Sequence, residues 1–189
     1  MIRTERLLLR PVRDGDLAAL HAVFSDREAM RYWSHPAHED IAKTEETLAN
    51  MKLSQAETGL ECVVERVGTV IGKAGIWRRD GETGEIGYIL RRDHWGQGLA
   101  TEAVGAVVAA GFAPAAGFAA LVAEIDPRNA GSAALLTRLG FREVKRVERA
   151  VEIAGEWCDS GFWRLDREAV TSPARAPART PVPGPSAAG

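Results

Sequence analysis

The sequence predicts an α+β fold, a mixed and largely antiparallel sheet of six to seven strands with helices on both faces. Three observations carry this. Antiparallel strand patterns dominate the chain just before residue 91. The stretch Glu85 to Val104, EIGYILRRDHWGQGLATEAV, then passes from a short apolar strand through a glycine-containing turn straight into a helix pattern. A further strand, a short helix and two strands joined by a tight turn complete the order.

Thr4 to Pro11 reads as the opening strand, and Asp14 as the N-cap of a helix burying Leu17, Leu20 and Phe24. A second helix covers about Glu39 to Gln55, with Ile41, Leu48 and Met51 on its apolar side. Leu60 to Arg66 and Thr69 to Trp77 read as antiparallel strands joined by a tight turn at Val67-Gly68, and a looser turn at Arg79 to Gly84 leads into the strand Glu85 to Leu90. In the helix that follows, Leu99, Ala100, Ala103, Val104, Val107, Val108, Gly111 and Phe112 recur in pairs every four residues, which makes one buried stripe. Ala119 to Ile125 reads as a buried strand, Pro127 and Asn129 as a turn, and Ser132 to Leu139 as a short helix stopped at Gly140. Arg142 to Ile153 and Glu156 to Leu165, turning at Ala154-Gly155, close the sheet. The segment from Thr171 onward holds five of the nine prolines and almost no large apolar residue, so the reading is a domain at 1–168 and a disordered tail at 169–189.

Composition narrows the function classes. Lys plus Arg total 24 against 26 Asp plus Glu, and a net charge of -2 offers no general attraction to nucleic acid or an anionic membrane. Ala103 to Ala123 is 21 residues without a charge, long enough to span a bilayer, but ten are Ala, three are Gly and Pro114 interrupts them, too little apolar mass for lipid. Cys62 and Cys158 make neither a metal spacing nor a disulfide framework, and no secretory signal opens the chain, so a cytoplasmic protein is expected. Both cysteines read as structural.

The glycine turn carries the chemistry. Gly96 and Gly98 let backbone amides approach an anion closely, and the next helix presents its unpaired N–H groups and positive dipole end at the same point. That is a cradle for a phosphorylated cofactor. A Rossmann dinucleotide site is disfavoured, because its turn follows the first strand of a βαβ unit and this one follows several antiparallel strands.

Four segments in order, TERLLLRPVRDGDL, EIGYIL, HWGQGLATEA and NAGSAALLTRLGF, resemble the GNAT superfamily of N-acetyltransferases, in its RimJ/RimL branch of ribosomal-protein-alanine acetyltransferases. The resemblance covers about Thr4 to Leu165. It implies an acetyl-CoA fold whose sheet splays between its fourth and fifth strands to admit the pantetheine arm, without a metal. It implies a pyrophosphate turn at Trp95, Gly96, Gln97, Gly98, Leu99, Ala100 and Thr101, with Trp95 where many members carry Gln or Arg. Tyr88, Ile89 and Leu90 are implied to pair by backbone with the pantetheine amides, the Ile89 N–H polarising the thioester carbonyl. Asn129 corresponds to the family's cofactor-contacting asparagine and Ser132 to a serine near the sulfur. The acceptor implied is a protein N-terminus or a small-molecule amine, and the family often forms homodimers.

Acetyl transfer to an amine needs a base for the ammonium and a proton donor for the departing thiolate. Glu85 is the leading base, against a solvated strand-end glutamate paired with a neighbouring Arg. Ser132 is a candidate acid, against a helix-start serine bonding its local backbone. A catalytic glutamate of the RimL type maps by counting to Val151, with Glu152 beside it on the wrong strand face unless a bulge intervenes. Arg91, Arg92, His94 and Arg128 are expected near the phosphates. Met30, Tyr32, Trp33, His35 and His38 lie in the loop expected to line the acceptor pocket, and Tyr32, Trp33 and His35 are the residues expected to touch acceptor. The competing reading is a non-catalytic acyl-CoA-binding or sensing domain.

Overall fold

The computed structural model describes residues 1–171, so the tail expected at 169–189 lies outside the described residues from 172 onward. Its strands are β1 Ile2–Arg3, β2 Leu8–Pro11, β3 Cys62–Arg66, β4 Thr69–Asp80, β5 Thr83–Leu90, β6 Ala120–Ile125, β7 Arg142–Ile153 and β8 Glu156–Asp166. The helices are α1 Leu17–Phe24, α2 Ile41–Thr58, α3 Leu99–Gly111, α4 Ala130–Arg138 and α5 Arg167–Thr171. Among the described residues the sheet therefore has eight strands, against the six or seven expected. The reason is local: the expected opening strand breaks at Thr4, whose amide donates to the Leu7 carbonyl at 3.0 Å while its hydroxyl accepts from the Leu7 amide at 3.0 Å. A turn there separates β1 from β2.

Two further expectations at the N-terminal end are corrected. Asp14 does not cap α1; a 3-10 turn at Asp14–Asp16 precedes the helix, and Asp14 is an exposed partner of Lys52. Asp16 takes the structural role, because its carboxylate receives two hydrogen bonds from the buried Arg10 guanidinium, each 2.8 Å, and one from the Arg13 amide. Ile41 is 43% exposed, since it stands in the first turn of α2 while Thr44, Leu48 and Met51 carry the buried stripe.

Strand order is β1-β2-β3-β4-β5-β6-β8-β7. All neighbours are antiparallel except β5 and β6, which run parallel. Both tight turns, at Val67-Gly68 and Ala154-Gly155, have positive φ at both central residues, the geometry that matches the twist of paired strands. On one face α3 and α4 bury Leu99, Val104, Val107 and Leu136 against Ile71, Ile76, Ile86 and Leu121. On the other, α1 and α2 bury Leu20, Phe24, Leu48 and Met51 against Val63, Val70 and Ile89. No helix among the described residues is long and apolar enough to cross a membrane; the uncharged stretch 103–123 divides between α3, a loop and β6.

One feature of the sheet positions the site. Parallel pairing between β5 and β6 is confined to Thr83 with Ala120, Gly84 with Leu121 and Glu85 with Val122. Beyond Glu85 the two strands part, β5 staying with β4 and β6 with β8. Because β1 and β2 share the expected first strand, this is the splay expected between strands four and five.

Candidate active site

The opening between β5 and β6 is a cleft of about 1180 Å³, with Glu85 at the vertex where the strands separate. Strand register decides which backbone groups face it. In an antiparallel pair, residues exchange hydrogen bonds with the neighbour at every second position and point the other way in between. The Arg91 amide donates to the Ile71 carbonyl at 2.8 Å, so the parity that runs through Ile89 and Gly87 faces β4. The Ile76 amide, donating to Leu60 on the opposite side of β4, fits the same alternation. Ile89 is thus committed to Lys73, and the backbone groups turned into the cleft are those of Ile86, Tyr88 and Leu90. This corrects the expectation for Ile89. Of the remaining groups, the Leu90 carbonyl already accepts from the Trp95 indole at 2.8 Å.

At the mouth of the cleft, Gly96 and Gly98 have φ of 70° and 74°, a conformation that L side chains adopt only with strain. Nothing lies within 4 Å of a Cβ built at Gly96, so it is the backbone angle that calls for glycine. Gly98 is the N-cap of α3 and supplies no side-chain cap, which leaves the first amides of α3 open. Trp95, Gly96, Gly98, Leu99, Ala100 and Thr101 line the cleft. Gln97 does not; its side chain accepts from Arg66 at 2.8 Å and donates to the Asp93 carbonyl at 3.2 Å.

Asn129 caps α4 by accepting the Ser132 amide at 3.0 Å. The helix start is therefore secured by Asn129, and the Ser132 hydroxyl is available to Tyr88 across the cleft. The Tyr88 Oη is shielded from solvent and reaches no partner at full hydrogen-bond geometry among the described residues; Ser132 is the side chain facing it, and burial pushes the phenol up to about 12. Glu85 accepts from Arg79 at 2.8 Å, as the plainer reading of that residue foresaw. Its carboxyl is nonetheless raised above the usual range: burial is the main cause and Glu124 adds to it, while Arg79 and the Trp77 indole oppose.

Several other expected residues stand elsewhere. Arg91 pairs with Asp93, Arg92 with Asp26, and Arg128 with Asp126 and Glu156; of the four basic residues expected near the phosphates, His94 is the one that lines the cleft. Tyr32 and Trp33 line it; Met30 and His38 are buried in the core, and His35 faces an adjoining cavity of about 200 Å³. In β7, residues 148–150 bulge opposite Asp159, with the Arg149 amide donating to its Oδ1 at 2.9 Å. The bulge does not bring Glu152 inward: Val151 lines the cleft and Glu152 is exposed.

A family model described as an acetyltransferase (GNAT) domain matches residues 6–142. The chain belongs to the GNAT acetyltransferase family. It is 32% identical over 145 residues to the uncharacterized N-acetyltransferase p20 of Bacillus licheniformis, covering 74% of this chain and 81% of that protein. Its fold matches spermidine N-acetyltransferase from Vibrio cholerae, solved with CoA and spermine, at a TM-score of 0.74 and 20% identity over 88% of this chain and 98% of the other. It also matches RimL, the ribosomal L7/L12 alpha-N-protein acetyltransferase solved with CoA, at 0.77 and 17% identity over 88% and 97%.

The GNAT cleft fits a CoA-type ligand on its own geometry. Left-handed glycines and open helix amides stand at one end, and unpaired strand backbone runs along one wall. The other end carries residues that sequence reasoning missed. Trp77 turns the edge of its ring toward Gly87, where a Cβ would come within 2.6 Å of the indole. Glu28, Glu124, Asp126 and Asp159 join Glu85 on the lining. Asp126, at the end of β6 and just before Pro127, was the one of these with a local signal; the others are assembled from distant segments.

Proposed function

We propose that this GNAT protein is an acetyl-CoA-dependent N-acetyltransferase acting on a primary amine by direct transfer, in the manner of the RimJ/RimL branch and in the cytoplasm. The observation that carries the reading is the vertex of the cleft, where a carboxylate made more basic by burial stands beside strand backbone with free hydrogen-bonding groups. Bound acetyl-CoA supplies the acetyl group as a thioester. Gly96, Gly98 and the amides of Leu99 to Thr101 hold the pyrophosphate, and Asn129 borders the same arm. Tyr88 N–H polarises the carbonyl to be attacked, replacing the expected Ile89 donor. Glu85 takes the proton from the acceptor ammonium at its carboxylate, and its raised pKa brings it closer to that task. Ser132, backed by the Tyr88 hydroxyl, returns a proton at the sulfur end.

Carboxylates and aromatic rings at the acceptor end favour a small, multiply charged amine over a peptide N-terminus. Two structural neighbours bracket that choice, one named for spermidine and one for a ribosomal protein. Release of free CoA thiol from acetyl-CoA, followed across polyamines, aminoglycosides and peptides beginning with Ser or Ala, tests the reading. Turnover with a polyamine or aminoglycoside is expected. Tight acetyl-CoA binding with no turnover on any acceptor would instead identify a sensing domain.

A further inference from the structure

We propose that Arg6, in the turn between β1 and β2, is a positioning residue for the glycine turn, fixing from outside the direction in which the Gly98 amide points. The proposal rests on reading the cleft as a CoA site. A single guanidinium spans both halves of the phosphate cradle: Nε donates to Glu102 Oε2 at 2.7 Å, and NH1 donates to the Gln97 carbonyl at 2.9 Å. The Arg6 backbone amide donates to the other oxygen of Glu102 at 2.9 Å, and the Thr4 hydroxyl bonds that same oxygen.

The consequence follows from peptide planarity. In a trans peptide the C=O and the next N–H point in opposite directions, so holding the Gln97 carbonyl outward turns the Gly98 N–H toward the phosphate side. Without that anchor, the peptide lies between two left-handed positions, Gly96 and Gly98, each with the widest backbone freedom of any residue. Arg66 and the Asp93 carbonyl hold the Gln97 side chain but leave its carbonyl to Arg6. Arg6 has a second effect. Glu102 lines the cleft in the first turn of α3, where an uncompensated carboxylate would repel a phosphate, and the guanidinium neutralises it.

The test is titration of CoA and of pantetheine, which lacks the pyrophosphate, into the full chain and into Arg6→Ala, Arg6→Lys and Arg6→Ala/Glu102→Gln. Arg6 is 40% exposed at its side chain, and melting temperatures will report whether each variant folds. Arg6→Ala is expected to weaken CoA about tenfold, the size of one charge-assisted hydrogen bond, while pantetheine binding stays within about twofold. Arg6→Lys is expected to recover only part of the loss, because one ammonium cannot serve both acceptors in fork geometry. Removing the Glu102 charge as well is expected to restore some affinity without reaching wild type, since the Gln97 carbonyl remains unanchored. An unchanged CoA affinity in Arg6→Ala, an equal loss of both ligands, or full rescue by Lys or by Glu102→Gln would overturn the positioning role. Failure of the wild-type chain to bind CoA would overturn the cofactor reading itself, and the two failures are thereby distinct.

Discussion

Glu85→Gln separates a base from an ion-pair partner. The change keeps an oxygen that can accept the 2.8 Å hydrogen bond from Arg79, so the vertex of the cleft should stay intact. The lost ion pair is weak in stability terms because Arg79 is 42% exposed, and removing a carboxylate raised by burial and by Glu124 offsets part of it. A net change within about 1 kcal/mol follows, or about 2–4 °C in Tm for a chain of this size. Loss of a general base, by contrast, costs about 100-fold or more in kcat/KM. Thiol release measured from acid to mildly alkaline pH should show wild-type kcat/KM falling as pH drops through the raised Glu85 value, and this acid limb should vanish in Glu85→Gln. Two neighbours set the sign of a finer check. Arg79 lowers the carboxyl pKa, so Arg79→Ala moves the limb to higher pH; Glu124 raises it, so Glu124→Gln moves the limb to lower pH. An active Glu85→Gln enzyme with the wild-type profile would refute the assignment, and limbs moving in the reverse directions would refute its electrostatic account.

Gly98→Ala should lower Tm by a few degrees, because a side chain at φ 74° costs about 1 kcal/mol, and should weaken CoA in calorimetric titration. Asp16→Ala strands the buried Arg10 guanidinium and should cost about 3–5 kcal/mol in urea unfolding, of which Glu65, still 2.7 Å from Arg10, recovers a part. His38 is held below the ordinary histidine pKa by burial first and then by His35, His21 and Lys43, so the unfolded chain binds its proton more readily. Stability should therefore fall as pH drops from the ordinary histidine value through the lower folded one, and His38→Phe, stacking on Phe24, should flatten that slope in urea melts at successive pH values.

What could be read from the chain depended on the range of the interaction that decides it. The β7–β8 hairpin was legible because Ala154-Gly155 and two long strand patterns are local signals, and its outer boundary at Arg142–Ile153 matches the expectation. The glycine turn and α3 were legible for the same reason. Asp14 failed as a cap because a partner outside its turn decided the matter: Arg10 drew Asp16 inward, and no local rule ranks the two aspartates. The expected basic cluster was dispersed likewise, since Asp26 and Asp126 claim Arg92 and Arg128. Trp77 and Glu124 reach the cleft through strand neighbours and the splay, which composition does not encode.

The Ile89 correction shows how small a quantity can separate fold from chemistry. Along a strand the backbone groups of successive residues point alternately to its two sides, so a displacement of one residue moves a donor from the cleft to the ladder. Sequence pattern constrains the side chains: Ile86 and Leu90 must face α3, and Ile89 must face α1 and α2. Backbone direction alternates in step with the side chains, and the parity that holds Ile89 faces β4, with Lys73 opposite Ile89. In the proposed mechanism the thioester donor is therefore Tyr88, whose side chain faces Ser132 on α4. On that proposal one residue would serve both ends of the transfer, its amide at the carbonyl and its hydroxyl beside the proton donor. Tyr88→Phe separates them: it keeps the amide, so acetyl-CoA binding should hold, while turnover should fall if the hydroxyl supports Ser132. Unchanged turnover in Tyr88→Phe would leave Ser132 acting alone.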